Sequence, residues 1–164
     1  MIRHHHSWAG EGLDAGLLGG TAVAVWFLLK DVLIGQPLRT PSILGQVLMN
    51  SGQSPVVSPF DFGAVIIYTV VHFLTFVALG LLVSWLVRLA VLNPVARFAL
   101  LILFVVFEFA FYVLIQTVSD SVGQFFPLFW VLSGNLLAAG IMGAYFWRRH
   151  PSLRRALGRE PLGA

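Results

Sequence analysis

The sequence predicts an all-α membrane protein, a bundle of four transmembrane helices. Of the 164 residues, 58% are hydrophobic and 10% are charged, whereas about a quarter of the residues in a soluble domain are charged. The mean hydropathy is +0.87. Four apolar segments are each near or above the roughly 20 residues needed to span a bilayer; they are 15–34, 62–87, 95–118 and 125–147. The whole chain, 1–164, is therefore expected to form a single integral membrane domain.

A polar N-terminal segment, 1–14, precedes the first helix. Glu11 and Asp14 lie before the apolar run, and no cleavage site of small residues follows it, so we do not expect a signal peptide. The histidine run 4–6 offers three metal ligands, but an unsupported run near a terminus is usually disordered. The first apolar segment therefore counts as a transmembrane helix.

Small residues recur along the first and fourth helices. The first carries Gly12, Gly16 and Gly20 at four-residue spacing, and the fourth carries Ala139 and Gly143. Such rows let helix backbones approach closely, which is how packing replaces the hydrophobic effect in lipid. We therefore expect these two helices to provide contact faces, to each other or to a partner.

The connection between the first two helices, 35–61, is too long for a tight turn. Thr40 followed by Pro41 is typical of a helix N-terminus, because proline is favoured at the first helical position. The sequence therefore predicts a short amphipathic helix from Pro41 to about Met49. The apolar residues expected to face the bundle or the membrane interface are Ile43, Leu44, Val47 and Leu48.

Lysine and arginine are distributed unevenly between the two sides of this bundle. Lys30 and Arg39 fall on one side; the other side has Arg3, Arg88, Arg97, Arg148, Arg149, Arg154, Arg155 and Arg159. The positive-inside rule therefore places both termini in the cytoplasm. The basic tail, 148–164, is suited to bind anionic lipid headgroups through Arg148, Arg149, Arg154 and Arg155. A role in topology alone accounts for these arginines equally well.

Glu108 is the most informative residue, because it lies in the middle of the third apolar segment. An ionised carboxylate there costs roughly 3 kcal/mol on insertion scales, so it must be protonated, partnered or in contact with water. With the predicted topology, Glu108, Tyr112 and Gln116 form a stripe from the bilayer centre to the outer end of the third helix.

Polar residues of two other helices reach a similar depth. The second helix carries His72, with Tyr68 one turn above it, and the fourth carries Asn135. We therefore predict an outward-facing polar cleft that ends at a His72–Glu108 pair. Such a pair can bind a metal ion or a polar ligand or exchange a proton; alternatively, it is a structural hydrogen bond that fixes helix register.

Several functional classes are disfavoured. The chain has no cysteine, which excludes disulfides and thiolate chemistry. One Glu and one His inside the membrane are too few for a di-iron site or for bis-histidine haem, so a single metal ion at His72 and Glu108 is the cofactor that stays open. The sequence lacks phosphate-loop, nucleophile-elbow and dinucleotide motifs, and so does not support an enzyme. A basic balance in a helical membrane protein reflects topology, which argues against nucleic acid as a partner.

Six stretches, spread over most of the chain, form a recognisable pattern. They are 26–31 (WFLLKD), 35–45 (GQPLRTPSILG), 72–73 (HF), 107–108 (FE), 134–138 (GNLLA) and 148–151 (RRHP). Together they resemble a group of small bacterial membrane proteins with four helices and no assigned activity. The resemblance implies a location in the bacterial inner membrane and implies no role for any residue.

Two functions of different classes follow from these observations. In the first, the chain is a small non-enzymatic membrane protein whose cleft, ending at His72 and Glu108, binds an ion, a proton or a small ligand. In the second, it is an accessory or assembly subunit, in a homo-oligomer or a larger membrane complex, that packs on partner helices and lipids through its glycine rows. The sequence has no evident internal repeat, which argues against a transporter acting alone.

Overall fold

The structure of the chain is a computed structural model that describes residues 7–49, 60–93, 95–118 and 127–151. Within these ranges the chain is all-helical, as predicted, and has no strand. The helices are α1 (Trp8–Leu33), α2 (Arg39–Met49), α3 (Phe62–Leu92), α4 (Val95–Val118) and α5 (Leu128–Arg149). Residues 4–6, the histidine run considered as metal ligands, and Arg154 and Arg155, predicted to bind lipid headgroups, lie outside the described residues.

By length and composition, three of the described helices are able to cross a membrane: Trp8–Leu33, Phe62–Ala90 and Leu128–Arg149. Large apolar side chains cover their outer surfaces; Leu74 and Leu136, for example, are 64% and 63% exposed. In water such surfaces would be unfavourable, whereas lipid solvates them. These are the features of a membrane protein.

The helix ends differ from the predicted ones. Helix α1 begins at Trp8 rather than at residue 15, because the Ser7 hydroxyl accepts a hydrogen bond from the backbone N–H of Gly10 (3.1 Å) and caps the first turn. Helix α3 continues to Leu92, five residues past the predicted end, and α5 runs from Leu128 to Arg149 rather than from 125 to 147. The bounds of α4 match the predicted segment.

Polar residues of the first two turns of α1 have partners near the C-terminal ends of α3 and α5. The carboxylate oxygen Oε2 of Glu11 lies 3.1 Å from Nε2 of His150 and 3.9 Å from Nη2 of Arg88. The hydroxyl of Tyr145 donates a hydrogen bond to Asp14 (3.0 Å). These contacts explain why the polar start of the chain is helical. They also define the basic end of the bundle, where α1 begins and α3 and α5 end; the far end is the opposite one.

Helices α1 and α3 cross at very short range. A Cβ atom added at Gly12 would lie 2.7 Å from the Cα of Leu81, and one added at Gly80 would overlap the carbonyl oxygen of Gly12 and lie 2.6 Å from the backbone nitrogen of Gly16. Real Cβ atoms essentially never approach backbone this closely. The glycine row of α1 therefore allows close contact with α3, and Gly80 is the glycine of α3 at this contact.

The predicted short helix is α2, and it packs on α3. The chain enters it through a turn with two residues in the left-handed region, Gly35 (φ 70°) and Leu38 (φ 64°). A Cβ atom at Gly45 would overlap the carbonyl group of Ala64 on α3, so glycine permits this contact. Of the four predicted apolar positions, Ile43, Leu44 and Val47 contact the core and Leu48 is exposed.

The core consists of two apolar clusters, one toward each end of the bundle. The cluster toward the far end contains Val23, Phe27, Val47, Phe76, Val131 and Ala138. The cluster toward the basic end contains Ala15, Val87, Ala90, Met142 and Phe146. Both clusters join α1 to α3 and α5, so these three helices form the framework against which α2 and α4 lie.

Candidate functional site

Two cavities follow one another along α3. The large cavity, about 300 Å³, lies between α3, α4 and α5 toward the basic end. The small cavity, about 180 Å³, lies between α1, α2 and α3 toward the far end. The lining passes from the small to the large cavity between Phe73 and Phe76.

The large cavity is apolar except at one end. Of the described residues that line it, Glu108 is the only one with an ionisable side chain, and Asn135 lies beside it. The other described lining residues are Phe76, Leu79, Val83, Val87, Leu103, Phe104, Phe107, Ala138, Ala139, Met142, Gly143, Phe146 and Trp147. The carboxylate therefore stands at one end of a cavity that is otherwise aromatic and aliphatic.

Only one of the two oxygens of the Glu108 carboxyl group has a hydrogen-bond partner among the described residues. Its Oε2 accepts a hydrogen bond from Nδ2 of Asn135 on α5 (3.1 Å). Its Oε1 is buried and has no hydrogen-bond partner among the described residues, and the residue as a whole is 7% exposed. Buried polar atoms without a partner are rare in folded proteins, so this oxygen needs an explanation.

His72 forms its hydrogen bond with α1 and not with Glu108. Its Nε2 lies 3.0 Å from the carbonyl oxygen of Gly20 on α1. Because a carbonyl oxygen only accepts, Nε2 must carry the hydrogen. The imidazole also lies against Tyr68 and Phe76, with ring centres 5.6 Å and 4.8 Å apart. The close approach of α1 and α3 thus presents a backbone carbonyl to His72.

His72 and Glu108 therefore do not form the predicted direct pair. Each hydrogen-bonds a different partner and lines a different cavity. The ring of Phe76 packs against that of His72 (4.8 Å) and lies 6.5 Å from the ring of Phe107, the neighbour of Glu108 in the chain. The physical reason is direction: His72 points toward α1, whereas Glu108 points from α4 toward α5.

The predicted outward-facing cleft is not a single cleft in the structure. The part toward the far end is the small cavity, which is lined by His72, Tyr68 and Thr69, among others. Glu108 and Asn135 instead belong to the large cavity, which extends toward the basic end and is lined there by apolar and small residues. Those small residues do not fill the space between α4 and α5, which is why the cavity exists there.

A metal site does not assemble among the described residues. Within them, no three His, Asp or Glu side chains gather closely enough to hold an ion. The candidate ligands His72 and Glu108 line different cavities. Protein metal sites usually need three or four ligands, so this arrangement does not favour the predicted metal.

The remaining residues of the predicted stripe contribute less. Tyr112 is half-buried, one turn beyond Glu108, and lines neither cavity. The structure describes the backbone of Gln116 within α4 and not its side chain. Of the described side chains of the predicted stripe, only that of Glu108 lines a cavity.

The two small residues predicted to form a contact face on α5, Ala139 and Gly143, border the large cavity instead. A Cβ atom added at Gly143 would meet nothing within 4 Å. Contact between α1 and α5 uses Gly19, where a Cβ atom would lie 2.6 Å from Sδ of Met142. Gly20, the last of the predicted α1 row, faces α3, where a Cβ atom would lie 3.2 Å from the ring of Phe73.

The arginines predicted to bind lipid headgroups lie at the basic end as far as the structure describes them. Arg148 and Arg149 are exposed in the last turn of α5. The guanidinium carbon of Arg149 is 5.4 Å from the centre of the Tyr145 ring, within the range of a cation–π contact.

Asp31 is a polar residue that the sequence analysis missed. It is 0% exposed and accepts hydrogen bonds from the backbone N–H (2.6 Å) and the hydroxyl (2.8 Å) of Thr40 at the start of α2. The ammonium group of Lys30 lies 3.7 Å from Asp31 Oδ1 and 3.4 Å from the Thr40 hydroxyl. A charged pair at the end of an apolar run, followed nine residues later by a Thr–Pro helix start, is the signal that identifies this cap.

Comparison of the chain with protein families, curated proteins and solved structures finds no match.

Proposed function

We propose that the chain is a non-enzymatic protein of the bacterial inner membrane that crosses the bilayer four times and binds an apolar small molecule in the large cavity. The observation that carries the proposal is the cavity itself. Protein interiors are close-packed, and about 300 Å³ is within the usual range of ligand pockets. A few polar groups in an apolar lining are typical of such pockets, and here Glu108 and Asn135 supply them.

Helix α4 is the fourth span in this proposal. Its 24 residues measure about 36 Å at 1.5 Å per residue, enough for the hydrocarbon core. Both termini are cytoplasmic, because Arg88, Arg148 and Arg149 lie at the basic end while Lys30 and Arg39 lie at the far end.

Single-cysteine labelling tests this topology, since the natural chain has no cysteine to remove. Three exposed positions are suitable: Met49 is the last residue of α2, Asn93 follows α3 and Pro127 precedes α5. In intact spheroplasts, a membrane-impermeant maleimide is expected to label M49C and P127C, and to label N93C only after permeabilisation. Labelling of N93C and P127C from the same side would show that α4 does not span, and a reversed pattern would overturn the orientation.

Two glycines one turn apart on α5 test the cavity. Gly143 lines it, whereas Gly140 is exposed outside it, and a Cβ atom at either position would meet nothing within 4 Å. Both Gly→Leu changes gain about the same helix propensity. We expect G143L to fill the cavity and to lose at least about nine-tenths of the small molecule that co-purifies with the protein, a change of about 1.4 kcal/mol, while G140L retains it. Mass spectrometry of organic extracts measures both, and equal retention would contradict the proposal.

An accessory subunit is the second candidate. It is favoured by the outer face of α5, where Gly140 and Ala144 are exposed and leave room for the backbone of another helix. The same pair of variants separates the two functions. Stoichiometric loss of a co-purifying protein in G140L, with no loss of a small molecule in G143L, would favour the subunit.

A further inference from the structure

We propose that the ligand of the large cavity is a lipophilic amine, bound as its cation with the ammonium group against Glu108 and the apolar body among the aromatic side chains. This inference rests on the proposed binding function and specifies its chemistry. It starts from the unpaired oxygen, since Oε1 of Glu108 is buried without a partner among the described residues. An N–H donor from the ligand supplies the missing hydrogen bond.

The charge of the site selects a cation. Glu108 is the only ionisable side chain among the described lining residues, so the part of the cavity that the structure describes holds no Lys, Arg or His to balance a carboxylate. The neutral amide of Asn135 donates one hydrogen bond without adding charge. Burying an unpaired charge is costly, whereas a hydrogen-bonded ion pair offsets much of that cost. An anionic ligand would be repelled by the carboxylate, and a neutral one would leave Glu108 without a charge partner, so that the carboxyl group would have to be protonated.

The aromatic lining favours the same class of ligand. Phe76, Phe104 and Phe107 lie at the end of the cavity that contains Glu108, and Phe146 and Trp147 lie toward the basic end. The faces of aromatic rings attract cations, most strongly where water is excluded. The cavity thus provides a carboxylate as charge partner and an aromatic, apolar lining for an alkylammonium or arylalkylammonium ligand.

Three probes of equal chain length test the headgroup: dodecylamine, dodecanol and dodecanoic acid. Each is titrated into the full-length protein in lipid nanodiscs, with empty nanodiscs to subtract partitioning. We expect the amine to bind at least about tenfold more tightly than the alcohol, because a charge-assisted hydrogen bond is worth more than a neutral one, and the acid to bind most weakly. If the wild-type protein binds the amine and the alcohol with equal affinity, the inference is overturned.

Variants separate this inference from the function on which it rests. E108Q retains an acceptor for Asn135, and it is expected to bring the affinity for the amine down to that for the alcohol while the alcohol still binds. G143L is expected to abolish binding of all three probes, and G140L serves as the matched control. If G143L abolishes binding but E108Q leaves the amine preference unchanged, the cavity binds ligands and the cation assignment fails. If G143L has no effect on any probe, the proposed function itself fails.

Discussion

Replacing Gly80 with leucine is expected to destabilise the bundle by about 3 kcal/mol, the upper range for inserting atoms into a packed core. The new Cβ atom would overlap the carbonyl oxygen of Gly12 and lie 2.6 Å from the backbone nitrogen of Gly16. These are backbone atoms, so no side-chain rotation relieves the clash and the two helices must move apart. The loss should appear in unfolding curves recorded by circular dichroism during titration with SDS.

The control for this change is G140L, at a glycine with open space around its Cβ position. Both substitutions replace a helical glycine with leucine, so both gain roughly 0.8 kcal/mol of helix propensity. Only G80L meets another helix. If the two variants unfold at the same SDS fraction, the α1–α3 crossing is not as close as the structure places it.

Replacing Asp31 with alanine is expected to cost about 3–5 kcal/mol, the usual penalty for removing one partner of a buried ion pair. The change leaves the ammonium group of Lys30 without its nearest carboxylate, at 3.7 Å, and removes the acceptor for both donors of Thr40. Helix α2 loses its cap as a result. Hydrogen exchange followed by mass spectrometry should show lost protection in α2 and in the last turn of α1.

Two further variants make this prediction specific. D31N retains one carbonyl oxygen for Thr40 but removes the charge, so its stability should fall between those of the wild type and D31A. D14A removes an exposed carboxylate whose partner is the Tyr145 hydroxyl, and it should cost no more than about 1 kcal/mol. A similar loss in D31A and D14A would mean that burial of Asp31 does not matter for docking of α2.

The helices were largely predictable because the bilayer leaves few alternatives. A backbone in hydrocarbon must satisfy its own hydrogen bonds, so long apolar runs become helices. The start of α1 was missed in part because the local Ser7 cap was overlooked and in part because its polar first turn has partners far away in the sequence. Glu11 stays within α1 because His150 and Arg88 meet it, and nothing in the local sequence indicates these contacts.

The individual residues of the site could be predicted from the sequence, but their contacts with one another could not. His72 and Glu108 stand out in any apolar sequence, and their depths follow from counting residues along each helix. Which neighbour each one faces depends on helix rotation and on the order of helices around the bundle. The row of small residues on α1 predicted a close helix contact but did not identify the other helix. The short distances between Gly80 and the backbone of α1 show that this helix is α3, and His72 on α3 therefore points toward Gly20.

The position of Phe76 has a consequence for the membrane. One cavity lies toward each end of the bundle, and their linings meet on α3 within a single turn, between Phe73 and Phe76. The phenyl ring of Phe76 lies at this junction, with its centre 4.8 Å from that of the His72 ring and 6.5 Å from that of the Phe107 ring. A continuous polar path through a membrane protein would let ions cross its bilayer. An aromatic side chain lies where the two linings meet, so the described residues form two cavities and not one polar path.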